Sequence, residues 1–89
     1  MRAVITVVGR DTVGILAKVS ALCVDFQANI IDVTQTVLED LFAMIMLVDV
    51  SGMSLPFAQF KERMASLGQE QNLSIHVMHE DLFNSMHRI

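Results

Sequence analysis

Apolar positions along the 89-residue chain change period several times, and the changes divide it into elements. Residues 2–8, RAVITVV, are β-branched and stop at Gly9. They predict a first strand, with Ala3, Ile5 and Val7 on one face and Val4, Thr6 and Val8 on the other. From Gly14 the period lengthens. Ile15, Val19, Leu22, Cys23 and Phe26 fall at i, i+4, i+7, i+8 and i+11, one helical stripe, with Lys18 and Asp25 off it. Asp11 or Thr12 can cap the start of this helix. Asn29 follows its end, where a left-handed residue is often needed.

Residues 30–39 alternate again. Ile31, Val33 and Val37 share a face that Gln35 interrupts, and Asp32, Thr34 and Thr36 share the other, as in a half-buried strand. Glu39–Asp40 suits a tight turn. Residues 41–50, LFAMIMLVDV, are apolar on both faces, so this strand should be central and covered on both sides. Ser54 can cap a second helix that tolerates Pro56 in its first turn. Phe57, Phe60, Met64 and Leu67 form its buried stripe, and Gly68 ends it or lies in its last turns. Residues 73–79, LSIHVMH, predict a fourth strand. Glu80 and Asp81 open a short helix, where acidic groups suit the amide end of the dipole. Leu82, Phe83, Met86 and Ile89 give that helix an apolar side.

This order predicts an α+β fold, the ferredoxin-like βαββαβ sandwich with a four-stranded antiparallel sheet, two helices on one face and a short C-terminal helix. One domain spans 1–89, with its core in 1–79 and the terminal helix at about 80–89. Two helices cover only one face of the sheet. The terminal helix or a second subunit should therefore cover the other face of the third strand.

Composition sharpens this picture. The chain is 53% hydrophobic, with a mean hydropathy of +0.51. That is more apolar surface than one small core needs, which points to a homodimer interface or a protein partner. The longest apolar run, Leu41–Val48, falls short of the ~20 residues of a membrane span. The N-terminal apolar stretch is broken by Thr6 and ends at Gly9–Arg10–Asp11, unlike a signal peptide. A single cysteine, Cys23, excludes an internal disulfide framework, and the expected location is cytoplasmic. A net charge of −4, with scattered basic residues, argues against nucleic-acid binding. An RNA platform would also need aromatics on the central strands, where only Phe42 is available.

Candidate chemistry is sparse. Gly9 and Gly14 are spaced as in a phosphate-binding loop, but Ile15 and Leu16 stand where Lys and Ser or Thr are required. His76 and His79 should point to opposite faces of their strand. His79 and His87 approach only if the terminal helix folds back, so neither a metal nor another cofactor is expected. Acylphosphatases share the predicted topology, and Arg10 and Asn29 could be cast as their phosphate ligand and water-orienting residue. The loop beyond Arg10 is acidic and apolar, however, and no catalytic triad is legible, so the chain is expected not to be an enzyme.

The order of elements, the turn GRDTVGILAKVS and the ANI after the first helix resemble the ACT domain family over essentially the whole chain. More narrowly, VVGRDTVGI, VTQTVLEDLFAMIMLVD and HEDLFNSMHRI resemble the small stand-alone ACT proteins of bacteria and archaea. Those proteins have largely unassigned functions and are related to the glycine cleavage system transcriptional repressor. The resemblance implies a non-catalytic regulatory module that binds an amino acid or similar small metabolite. It also implies a homodimer, paired edge to edge or face to face. In the family, ligands sit where the first strand turns into the first helix. An asparagine at the start of the second strand contacts them, sometimes from the neighbouring subunit. Carried onto this sequence, the ligand-binding residues are Asp11, Thr12, Val13, Gly14, Ile15, Leu16, Asn29 and Ile30.

Elementary chemistry is compatible with that assignment. The amides of a helix N-terminus suit a carboxylate, and Asp11 could hold an ammonium group. Plainer roles stay open: Gly14 supplying an unusual backbone angle, Asp11 a cap, Asn29 a helix terminator. A protein-interaction module with no small ligand, docking on an enzyme or regulator, is the alternative function.

Overall fold

A computed structural model describes residues 1–10 and 14–86. The β-branched run forms β1 (Arg2–Gly9), and the first helical stripe forms α1 (Ile15–Asp25). A hairpin follows, β2 (Asn29–Leu38) and β3 (Leu41–Asp49), then α2 (Phe57–Gln71), β4 (Ser74–His79) and α3 (Glu80–Met86). The strands form one sheet in the order β2-β3-β1-β4 with antiparallel neighbours, which is the expected sandwich.

Register decides which side chains meet. Ile5 lies opposite Met46 and Val77, and Val7 opposite Met44 and Ile75. These residues face the helices and are buried there against Val19, Cys23, Phe60 and Met64. The ring of Phe60 stands edge-on to Phe26, with centroids 5.4 Å apart. Lys18 Nζ donates to Gln71 Oε1 at 2.7 Å, tying α1 to α2.

Several local expectations are corrected. The left-handed residue after α1 is Gln27 (φ 60°), and Asn29 is already in β2. The Ala28 amide reaches back to the Cys23 carbonyl at 2.8 Å, so the chain reverses two residues earlier than the asparagine suggested. Along β2, Ile31 is the extra residue of a bulge: Ile30 pairs with Val48 and Asp32 with Leu47. The bulge resets the alternation, so Ile30 rather than Ile31 joins Val33 on the helix side. Gln35 shares that side but is exposed, because β2 is a sheet edge that the helices cover only in part.

The cap of α2 is Pro56, not Ser54; its carbonyl accepts from Gln59 N at 3.0 Å, and no side chain caps the helix. At the start of α1 the cap position belongs to Gly14, with no side-chain cap bond; Asp11 and Thr12 lie outside the described residues. Gly68 lies within the last turns of α2.

The second face of the sheet is only partly covered. α3 packs on β1 and β4 and does not reach β3. Arg2 anchors it, its guanidinium gripping both carboxylate oxygens of Glu80, which holds that carboxyl below its usual range. Val4 is buried on this face, whereas Val8 and Ile45 are about 40% exposed, and Leu82 and Met86 of α3 are more than half exposed. Ile89 lies outside the described residues.

Burial also sets the chemistry of Cys23. Desolvation pushes its thiol up to about 11 from an ordinary value of 9.0. The unfolded thiol therefore ionises first as pH rises. Stability is unaffected below about 9 and falls as pH climbs towards 11, by roughly 2–3 kcal/mol. Denaturant titrations between pH 8 and 11 should show this fall, and Cys23→Ala should flatten it. A fall of equal depth in the variant would assign it to other groups.

Candidate functional site at the carboxyl end of β1

β1 delivers Gly9 and Arg10 to one end of the sheet, and α1 starts from the same end at Gly14. Gly14 has φ +74°, ψ 6°, a left-handed conformation that glycine adopts at no steric cost. Among the described residues, chain neighbours aside, no heavy atom lies within 4 Å of where a Cβ would stand, so on that side the backbone is open to an approaching group. Beyond it, Ile15 is buried in the core and Leu16 is 41% exposed. Gly14 thus has the unusual backbone angle of the plainer reading and, equally, open space. Asp11, Thr12 and Val13 lie outside the described residues.

Asn29 and Ile30 are elsewhere. Asn29 pairs with Asp49, which pairs with Arg2, so both belong to the start of β1 rather than its end. α1 runs between the two groups, a length of about 17 Å. Asn29 is exposed and Ile30 half-buried against the core. One protomer therefore does not bring Gly14 and Asn29 together. The same separation divides Arg10 from Asn29, so the acylphosphatase-like pairing does not form within a chain.

At the Gly9 end a cleft of about 670 Å³ opens between strand ends and the last turn of α2. Its walls are Val8 and Gly9 of β1 with Arg10 just after it, Leu41 of β3, and Gly68, Gln69, Asn72, Leu73 and Ser74 around the end of α2. Gly9 is bare because the Leu73 side chain lies where a Cβ would go. Asn72 terminates α2 in the left-handed region (φ 58°), and the Leu73 amide donates to the Gly68 carbonyl at 2.8 Å. Arg10 Nε is 3.7 Å from Asp40 Oδ2 across the hairpin turn, both side chains being largely exposed. The sequence pattern assigned α2 and the end of β1 correctly without showing that they flank one cavity. The signal it did carry was the glycine pair, Gly9 and Gly68, each needed for close approach to residue 73.

The open sheet face carries Thr6, Ile45, Thr34 and His76 in one cross-strand row. Phe42 is buried on the helix side, leaving that face without an aromatic platform. Among the described residues no three His, Cys, Asp or Glu side chains gather to hold a metal; His87 lies outside them. No described helix is long and apolar enough to cross a membrane.

Known proteins share this arrangement. A family model for the ACT domain matches residues 2–78. A UPF0237 protein of Methanocaldococcus jannaschii is 44% identical over 88 residues, covering 99% of this chain and 98% of its own. An ACT domain protein from Streptococcus pneumoniae has a TM-score of 0.81 at 36% identity, covering 93% of each chain. A putative glycine cleavage system transcriptional repressor has a TM-score of 0.72 at 27% identity, covering 89% of this chain and 47% of its own. With sequence and fold agreeing over nearly its full length, the chain belongs to the ACT domain family, among its UPF0237 members.

Proposed function

We propose that the chain is a non-catalytic, cytoplasmic sensor of an amino acid or similar small metabolite, and that it works as a homodimer. The observation that carries this reading is Gly14: a left-handed, exposed residue with open space beside it, at the amide end of α1. Such an end offers unpaired N–H groups and partial positive charge to a carboxylate. Asn29 completes the site from a second copy, because its own chain places it a helix length away. A two-fold axis that reverses strand direction brings the end of one sheet beside the start of the other. The exposed edge strand β2 and the uncovered face around Ile45 both supply surface for that contact.

Dye-reported thermal unfolding across the amino acids, with dimer state followed in parallel, tests the proposal. A dye is needed because the sequence contains no Trp or Tyr. Ligand at ~100 times its dissociation constant adds about 2.7 kcal/mol. In a domain this small that is a shift on the order of 10–20 °C. Gly14→Asn is the informative variant, since asparagine tolerates the left-handed region while filling the open space; Gly14→Val would add strain and confuse the result. The ligand-induced shift should disappear in Gly14→Asn with the dimer intact. A shift retained there removes the Gly14 site.

The uncovered sheet face supports a second reading, a protein-docking module without a small ligand. Stabilisation by no amino acid, together with a partner captured equally well by wild type and Gly14→Asn, would decide for it.

A further inference from the structure

α1 and α2 together cover one face of the sheet. The opposite face carries α3 over β1 and β4 and, among the described residues, no helix over β2 and β3. What is left is a slot. Two strands ~4.8 Å apart make it about 10 Å wide, one helix diameter. Along β3 its floor is Leu41, Ala43, Ile45 and Leu47, which alternate with the buried Phe42, Met44, Met46 and Val48. From Leu41 to Leu47 the floor runs ~20 Å, nearly four turns of a helix. β3 lies inside the sheet, so the exposed Leu41 and Ile45 are apolar surface that its own chain leaves uncovered.

Charge narrows what fits there. Asp32 stands at one end of the slot, paired with Leu47, and Glu39 at the other, in the hairpin turn. Among the described residues neither is in an ion pair. Between them β2 contributes the neutral Thr34 and Thr36. We propose that the slot docks one amphipathic helix of another protein, aliphatic on the side that meets Ile45 and basic towards both ends. Such a helix completes a second helix layer on the sheet, and its basic groups meet Asp32 and Glu39.

A second copy would bring its own net charge of −4 and the same acidic ends, so this face suits self-pairing less well than the β2 edge does. The anionic surface of a bilayer is repelled on the same grounds. The homodimer proposed above then keeps the β2 edge. Docking in the slot requires neither that homodimer nor the Gly14 site.

Amide chemical-shift titration of the ¹⁵N-labelled full chain tests this with three synthetic peptides of about 15 residues, long enough to fill the slot as a helix. One has leucines along one side and lysines towards both ends. The second has glutamates in place of the lysines. The third has the composition of the first, scrambled so that no side is apolar. The basic helix should give saturable shifts at the amides of Thr34, Ala43, Ile45 and Leu47. The acidic helix and the scrambled peptide should each bind at least about tenfold more weakly. Ile45→Lys should weaken the basic helix by a similar factor. Asp32→Asn with Glu39→Gln should bring the basic and acidic helices to nearly equal affinity, the asparagine keeping the oxygen that accepts from Val33 N. Gly14→Asn should change none of this, so loss of the sensor site and loss of the slot are told apart. The proposal is overturned if the basic helix gives no saturable shift at these amides, or if the acidic helix or the scrambled peptide binds as tightly. It is overturned equally if Ile45→Lys binds as wild type does, or if the same amides shift with protein concentration alone, which would make the face a contact between copies.

Discussion

Phe60→Ala is expected to cost about 3–5 kcal/mol and bring the domain close to unfolding at ambient temperature. The ring is fully buried beneath the sheet, edge-on to Phe26 at 5.4 Å and tilted against Phe57 at 6.4 Å. α2 meets the sheet through this ring and Met64, so the sheet cannot collapse into the cavity without moving the whole helix. A domain of this length has roughly 4–13 kcal/mol of stability to lose. The thermal midpoint should therefore fall by at least ~12 °C. The aromatic pair itself contributes a smaller share, about 0.5–1.5 kcal/mol, which a double-mutant cycle with Phe26→Leu and Phe60→Leu would isolate. A loss under ~1 kcal/mol in Phe60→Ala would mean that the two layers are far less tightly packed than described.

Gly68→Ala should also destabilise, against the usual direction for a helix. In an exposed helix interior the change is worth nearly 1 kcal/mol in favour of alanine. Here a Cβ would stand 2.8 Å from the Leu73 carbonyl oxygen and 3.3 Å from Ile75 Cγ1. The carbonyl is backbone just before β4, and the amide of the same residue donates to the Gly68 carbonyl at 2.8 Å. The strand cannot retreat without breaking that bond or disturbing the pairing of Ser74 with Val8. A net loss of about 1–3 kcal/mol is expected for alanine, and ~3 kcal/mol or more for valine. Chemical denaturation of the two variants measures it. A stabilised Gly68→Ala would show that α2 and β4 are further apart than the structure places them.

Much of the architecture was legible because hydrophobic period follows burial. The stripe from Ile15 to Phe26 and the alternation of Ala3, Ile5 and Val7 both report directly on what faces the core. Residues answering to a partner other than the core were not legible. Asn29 looked like a helix terminator by type, yet the backbone chose Gln27, because the turn that closes α1 is set by where the chain must rejoin the sheet. Ile31 looked equivalent to Val33 by parity, yet a bulge resets that parity without leaving any compositional mark. Ser54 is a good cap by type, but Pro56, with its preset φ of −61°, starts the helix two residues later. The cleft was invisible for a related reason. Arg10, Leu41 and Asn72 come from three places distant in sequence, and only the strand order makes them neighbours.

The placement of Gly14 and Asn29 at opposite ends of one protomer has a consequence for any ligand that needs both. An isolated chain would own two half-sites and no whole one, while a two-fold pair would create two whole sites at once. Ligand and partner chain would then act as each other's glue. Affinity would rise with protein concentration, and dilution would oppose binding as effectively as a competitor. Such a protein would report the abundance of its metabolite and its own abundance through a single equilibrium.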